Sequence, residues 1–207
     1  MSNSIFDLLQ GQLTGGIVEQ IAGQLGGADK KQTENAASSA IDLLVGALAK
    51  NATSKEGSSA LANALERDHD GSILDNFIGM ATGAAKPKND KMIDGSGILK
   101  HILGGKQSGA VEMISQRSGL DSSSAGSLLS MLAPLVMGAL GKTKASNGLD
   151  AGGITDLLTN ELTQAKSQRK EMGLIEKFID QDGDGSIADD VAGFGMKILG
   201  GLFKGKR

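Results

Sequence analysis

Two related stretches of the chain decide its fold: residues 16–50, GIVEQIAGQLGGADKKQTENAASSAIDLLVGALAK, and residues 109–142, GAVEMISQRSGLDSSSAGSLLSMLAPLVMGALGK. Five residues recur 93 positions later, namely Gly16, Val18, Glu19, Ile21 and Gly26 at Gly109, Val111, Glu112, Ile114 and Gly119. Six more recur 92 positions later, namely Asp29, Leu43, Gly46, Ala47, Leu48 and Lys50 at Asp121, Leu135, Gly138, Ala139, Leu140 and Lys142. Internal similarity at a nearly fixed spacing indicates a duplicated unit, so we expect two similar halves with pseudo-twofold symmetry.

Both stretches have the apolar spacing of helices. Ile17, Ile21 and Leu25 fall at i, i+4 and i+8, on one helical face. The longer patterns over residues 29–50 and 122–140 are apolar almost all round, which is typical of buried helices. No alternating apolar run predicts a strand. The sequence therefore predicts an all-α fold, with two pseudo-repeated helical halves around two buried central helices.

The ends and connections of these helices follow from local composition. Asp29 or Thr33 is expected to cap the first central helix, and Pro134 is expected to kink the second. The polar stretch around Pro87 is typical of a linker. We therefore predict a first helical repeat at residues 1–85, a linker at 86–95 and a second repeat at 96–207, which includes an Asp-rich loop and a C-terminal amphipathic helix. A further loop is expected at residues 144–153.

The composition excludes several classes of protein. The 207 residues carry a formal charge of −3 and only 2% aromatic residues, so the clustered basic surface and stacking rings of nucleic-acid binders are missing. Disulfides and thiolate metal sites are excluded because the chain has no cysteine. The first residues do not read as a secretory signal, and no stretch approaches the roughly 20 apolar residues that span a bilayer. The expected location is the cytoplasm.

Three segments together resemble a known bacterial family: GGIVEQIAGQLGG at residues 15–27, EGSSALANALERDHDGSILDN at 56–76, and residues 97–142. They are similar to the YidB-like family, domain of unknown function 937. The resemblance implies an α-helical bacterial protein without an assigned activity, and it transfers no catalytic residues. One departure is Asp42, where related sequences tend to carry the proline seen here at Pro134.

An Asp-rich loop, DQDGDGSI at residues 180–187, is the strongest chemical motif. Its alternating carboxylates, its glycine and its aliphatic residue match the start of an EF-hand loop, in which hard oxygens converge on Ca²⁺. Position 12 of that loop is Val191 instead of the bidentate glutamate, so Asp189 or Asp190 has to replace it. The predicted calcium ligands are Asp180, Asp182, Asp184, Ser186, Asp189 and Asp190. The alternative is a glycine turn in which Asp184 or Ser186 caps the last helix.

Weaker acidic candidates lie in the first half. The segment DHDGSILD at residues 68–75 echoes the Asp-rich loop, and it is interpreted chiefly as a helix-capping turn. His69 could ligate zinc together with Asp68 and Asp70, but nothing else in the sequence suggests a third ligand. Asp42 is a catalytic or metal candidate, although a polar gap or a capping partner is the favoured interpretation. His101 is interpreted as structural.

The C-terminal segment, residues 191–206, has a wide apolar arc with Lys197 and Lys204 opposite. Docking onto the helical body is the favoured interpretation, and lying on a membrane surface is the alternative. No nucleophile–base motif or nucleotide-binding loop is present. The function we expect is a non-enzymatic structural or interaction protein that self-associates or binds a protein partner, with a calcium-binding loop. The alternatives are a membrane-surface or envelope-associated protein and an enzyme with an acidic site at Asp42 or Asp68/Asp70.

Overall fold

The computed structural model describes residues 4–75, 77–81, 83–168 and 172–180. Within these ranges the regular structure is helical, with short 3₁₀ turns and no strand. The α-helices are, in chain order, α1 Ile5–Gln12, α2 Gly15–Gln24, α3 Lys30–Ala52, α4 Lys55–Arg67, α5 Phe77–Ala81, α6 Gly95–Leu103, α7 Gln107–Ser118, α8 Ser122–Asn147, α9 Ala151–Gln168 and α10 Met172–Ile179. The predicted all-α class is confirmed.

Helices α3 and α8 lie at the centre of the molecule. Leu43 and Leu44 of α3, like Leu128 and Leu129 of α8, have no exposed surface. The two helices pack against each other; α7 and α9 also pack on α3, and α6 and α7 pack on α8. A cluster of buried apolar side chains therefore draws on both halves of the chain, and its removal from water is the main force that stabilises the fold.

The two central helices begin in the same way. Asp29 Oδ1 accepts a hydrogen bond of 3.0 Å from the Gln32 backbone N–H, and Asp121 Oδ1 accepts one of 3.0 Å from the Ser124 backbone N–H. A carboxylate at this position satisfies a backbone donor that the first turn of a helix leaves unpaired. Of the two caps considered from the sequence, Asp29 rather than Thr33 holds the N-cap position of α3.

Glycines allow other elements to approach the central helices closely. A Cβ on Gly46 of α3 would lie 2.5 Å from Ile179 Cδ1 of α10. A Cβ on Gly138 of α8 would lie 2.2 Å from Cγ2 of Ile73, in the 3₁₀ turn Ser72–Asp75. An isoleucine therefore occupies the space over each of these two glycines, which correspond to each other in the sequence comparison of the halves.

Helix α8 is longer than the sequence predicted. It continues through Pro134 and ends at Asn147, and α9 begins at Ala151, so the prediction of a loop at residues 144–153 was wrong for 144–147 and 151–153. Thr143 Oγ1 donates a hydrogen bond of 2.9 Å to the Ala139 carbonyl oxygen within the continuing helix. The helix ends before Gly148, whose φ of 62° is the left-handed conformation in which glycine commonly terminates helices.

Contrary to the expectation from the sequence, the length and composition of α8 meet the criteria for a membrane-spanning helix. Its most apolar stretch has a mean hydropathy of 1.5, and it is the one such candidate in the part of the chain that the structure covers. However, 72% of that stretch is buried inside the protein. The core helix of a helical protein has the same composition for a different reason, since it is surrounded by other apolar helices.

The segment predicted as a linker contains a short element of its own. Within residues 86–95 lies the 3₁₀ turn Asp90–Met92, whose N-cap, Asn89, accepts a hydrogen bond of 3.0 Å from the Met92 N–H. The Met92 side chain is 2% exposed and belongs to the apolar cluster. This segment therefore contributes to the core as well as joining α5 to α6.

Candidate functional site

The predicted calcium loop starts where α10 ends. Ile175 and Ile179 of α10 are buried, 1% and 4% exposed. Lys106 Nζ donates a hydrogen bond of 2.8 Å to the Ile179 carbonyl oxygen. These contacts hold the end of α10, and with it Asp180, against the body of the protein.

The rest of that loop lies outside the described residues. This applies to the proposed ligands Asp182, Asp184, Ser186, Asp189 and Asp190, and to the basic amphipathic segment at 191–206. Calcium binding and the membrane-surface alternative therefore stay predictions.

The carboxylates of the first-half echo are engaged by cations. Asp68 Oδ2 lies 2.8 Å from Arg67 Nη2, and Asp70 pairs with Lys88 and accepts a hydrogen bond of 3.0 Å from the Ser72 N–H. The Arg67 hydrogen bond holds the pKa of Asp68 below its ordinary value, and the Lys88 and Ser72 contacts do the same for Asp70. No group of three or more His, Asp or Glu side chains that could hold a metal ion is found among the residues described.

A cleft of about 750 Å³ opens between α4 and α6. One wall carries residues of α4: Gly57, Ala60, Leu61 and Ala64. The other carries residues of α6: Gly97, Ile98, His101 and Ile102. Leu48 of α3 and Met137 of α8 add to the apolar lining. The volume falls within the range of about 300–1,000 Å³ that is typical of ligand sites. Asp42 does not line this cleft.

The two walls run antiparallel. A Cβ on Gly57 would lie 1.9 Å from the Asn51 carbonyl oxygen, and Asn51 Nδ2 donates a hydrogen bond of 2.9 Å to the Ile102 carbonyl oxygen. The start of α4 and the end of α6 therefore meet at Asn51. At the opposite end, Asp68 lies close enough to Lys91 for the lysine charge to lower the pKa of the carboxyl. At 1.5 Å per residue, the α4 wall from Gly57 to Asp68 is about 16 Å long.

The polar end of the cleft carries two cations, Arg67 and Lys91, and two carboxylates, Asp68 and Asp94. Asp68 is paired with Arg67, and Asp94 caps α6. Lys91, in contrast, forms no ion pair with any described residue. His69 Nδ1 is buried without a hydrogen-bond partner in that same set of residues.

His69 is held firmly at this end. It is 5% exposed, and its carbonyl oxygen lies so close to Gly141 of α8 that an added Cβ there would be 1.7 Å away. Burial lowers the pKa of the imidazole below its ordinary 6.5 and outweighs the opposing charges of Asp68 and Asp70. The ring is therefore neutral at neutral pH. A buried nitrogen without a partner costs about 1–3 kcal/mol of stability.

The sequence did not predict this cleft, and it gave no reason to single out its lining residues Asn51, Arg67 and Lys91. The signal that could have indicated it is the recurrence of small residues at 57, 60 and 64, which share one face of α4. Small side chains on an otherwise polar helix leave a furrow that larger residues would fill. His69 was singled out, but for metal ligation rather than as part of a cleft.

A family model described as a bacterial protein of unknown function, DUF937, matches residues 7–143. The matched region includes both walls of the cleft, and the resemblance inferred from the sequence is confirmed. No curated protein and no solved structure matches the chain.

Proposed function

The chain belongs to the DUF937 family of bacterial proteins of unknown function, and on that premise we propose a non-enzymatic interaction protein that receives a partner in the cleft between α4 and α6. The observation that carries the proposal is the lining of the cleft. Two walls of small and apolar residues end at a charged cluster, in which Lys91 forms no ion pair and His69 Nδ1 accepts or donates no hydrogen bond among the described residues. Sites of this composition, apolar with a few convergent polar groups, are typical of binding surfaces.

The state of the acidic groups favours binding over catalysis. A general acid or base works best when its pKa lies near the working pH. Asp68, held ionised by Arg67, has its pKa shifted in the opposite direction, and Asp94 is engaged in capping α6. Both carboxylates therefore serve to shape the cleft.

The partner we propose is a protein, either a different chain or a second copy of this one. Self-association suits a chain built from two related halves, a duplication that we propose on two matched features. Asp29 and Asp121 cap the central helices in the same way, and Gly46 and Gly138 each lie under an isoleucine. Duplicated modules commonly present similar surfaces twice, which favours symmetric assembly.

Filling the cleft tests the proposal. Ala60, which is exposed on the α4 wall, is replaced by tryptophan. The matched control is the same replacement at Ser59, which is exposed beside Ala60 but lies outside the cleft. In size-exclusion chromatography of native bacterial extracts, the wild type and Ser59→Trp are expected to elute as a complex larger than the free chain. Ala60→Trp is expected to elute as the free chain. A complex that survives Ala60→Trp unchanged would refute the cleft as the binding site, and purified protein run at several concentrations separates self-association from binding to another protein.

Calcium binding by the Asp-rich loop is a second candidate function. The docking of α10 favours it, because Ile175 and Ile179 are buried and Lys106 binds the Ile179 carbonyl oxygen, directly before the first residue of the motif. A site whose first ligand is already positioned loses less conformational entropy when it closes around an ion.

Isothermal titration calorimetry with CaCl₂ tests this second function. The wild-type chain is expected to release or absorb binding heat with a saturable profile. The double variant Asp182→Ala/Asp184→Ala, which lacks two of the alternating carboxylates, is expected to give none. A wild-type chain that gives no binding heat would remove the calcium proposal.

A further inference from the structure

The C-terminal end of α8 carries the one Asn-Gly pair of the sequence, Asn147–Gly148. We propose that Asn147 is a site of spontaneous covalent modification, in which aspartate or isoaspartate replaces the asparagine, and that opening of the last turn of α8 sets the rate. This end of α8 does not line the cleft, so the site is independent of the proposed binding role.

The modification is an attack on the Asn147 side chain by the backbone nitrogen of the next residue. A bond forms between the Gly148 nitrogen and Asn147 Cγ, and the Cγ–Nδ2 bond breaks. The proton of the Gly148 N–H leaves with the side-chain NH₂ as ammonia, and a five-membered succinimide ring remains. Water then opens the ring at either carbonyl carbon. Cleavage of the bond between the nitrogen and Cγ gives aspartate, whereas cleavage on the main-chain side gives isoaspartate, in which the chain continues through Cγ.

Both reacting residues are open to water. Asn147 and Gly148 are exposed, and a Cβ added to Gly148 would meet no atom within 4 Å. Because glycine has no side chain, its nitrogen reaches Cγ without the hindrance that other residues impose. Asn160 is also exposed, but it lies inside α9 and is followed by Glu161. Exposure alone therefore does not single out Asn147, whereas its place before a glycine at a helix end does.

Hydrogen bonds of the helix end occupy both reacting groups. The Gly148 N–H donates to the Lys144 carbonyl oxygen, and the Leu149 N–H donates to the same oxygen at 3.0 Å. Asn147 Nδ2 donates a hydrogen bond of 2.9 Å to the Thr143 carbonyl oxygen. The attacking nitrogen and the leaving amide are thus both bound to the preceding turn, so that turn has to open before the ring can close.

Opening of this turn breaks few contacts. Residues 145–148 are all exposed, so the last turn of α8 buries little apolar surface. Helix ends of this kind open locally at a much lower free energy than the core does. Further back, α8 is buried at Gly141 and Thr143. The rate of modification is therefore expected to follow fraying of the last turn rather than unfolding of the whole protein.

Peptide mapping of the intact chain by mass spectrometry tests the proposal. The purified protein is incubated in mildly alkaline buffer, with and without urea, and samples are digested with trypsin over time. One tryptic peptide, residues 145–166, contains both Asn147 and Asn160, so Asn160 is an internal control. We expect Asn147 to be converted in the folded chain about tenfold or more slowly than in urea, and Asn160 to stay unchanged.

Two glycine variants separate opening of the last turn from unfolding of the whole protein. Ala145→Gly, at an exposed position in the last turn, is expected to raise the rate in the folded chain about fourfold, because glycine weakens a helix. Ser127→Gly, at an exposed position in the first half of the same helix, is expected to leave the rate unchanged.

Four results would overturn the proposal. The first is that Asn147 is not converted in the folded chain, and the second is that it is converted equally fast with and without urea. The third is that Ala145→Gly does not raise the rate. The fourth is that Ser127→Gly raises the rate as much as Ala145→Gly does, since the reaction would then proceed through unfolding of the whole protein.

Discussion

At the scale of single residues, His69 shows how a side chain in the cleft is coupled to the fold. The ring is neutral because it is buried, and it stays buried because the adjoining backbone packs against Gly141. Protonation would place a charge in a site with little water, so the folded protein resists protonation more than the unfolded chain does. Because proton binding by His69 differs between the folded and unfolded states, the free energy of unfolding depends on pH.

The sign of that dependence follows from the direction of the pKa shift. The pKa of His69 in the folded protein lies below the 6.5 of the unfolded chain, so the contribution to stability is complete above that value and is lost as the pH falls below it. We expect the free energy of unfolding, measured with urea, to fall between about pH 8 and pH 5.5. The fall should be smaller in His69→Gln. Equal slopes in the wild type and in His69→Gln would contradict this account.

At the scale of elements, close approach at glycines explains how α8 fixes one end of the cleft. His69 lies over Gly141, and Ile73 lies over Gly138, so the segment after α4 is held against α8 at two points. This segment connects the α4 wall to the rest of the molecule. Glycine at these two positions therefore serves packing, although an isolated glycine inside a helix normally weakens it.

A matched pair of substitutions in α8 tests this packing. Gly141→Ala would place a Cβ 1.7 Å from the His69 carbonyl oxygen, and we expect it to lower the free energy of unfolding by about 2 kcal/mol or more. At Gly126 of the same helix the nearest atom to an added Cβ is Val111 Cγ2, at an ordinary 3.7 Å. Gly126→Ala is expected to stabilise the protein by about 0.5–1 kcal/mol through helix propensity. Equal effects of the two changes in urea denaturation would refute the close approach.

The elements of this fold were predictable from sequence to different extents. The central helices and the all-α class depend on spacing within a few residues, so the sequence predicts them directly, and it narrows the cap of α3 to Asp29 or Thr33. The end of α8 was misplaced because the apolar pattern stops at about residue 140, whereas the helix continues through Gly141, which packs against His69, to Asn147. The cleft was missed for a similar reason. Its walls come from α4 and α6, which are separated along the chain, and only packing on α3 and α8 brings them together.

At the scale of the whole molecule, the two halves share one apolar cluster, and the cleft lies where they meet. Its α4 wall comes from the first half, and its α6 wall comes from the segment that follows residue 95. The antiparallel arrangement of these walls is set at one end by Asn51 and at the other by the charged cluster around Asp68 and Lys91. Binding at this position would bridge both halves, so a partner that occupies the cleft is expected to stabilise the whole fold.

Photo-crosslinking in living bacteria tests the binding role of the cleft most directly. A photoreactive phenylalanine analogue is incorporated at position 60, on the α4 wall, and in a separate strain at position 59, which is exposed outside the cleft. On irradiation, position 60 is predicted to give a discrete protein adduct, and position 59 is predicted to give none or much less. No adduct from position 60, or adducts of equal yield from both positions, would contradict the account.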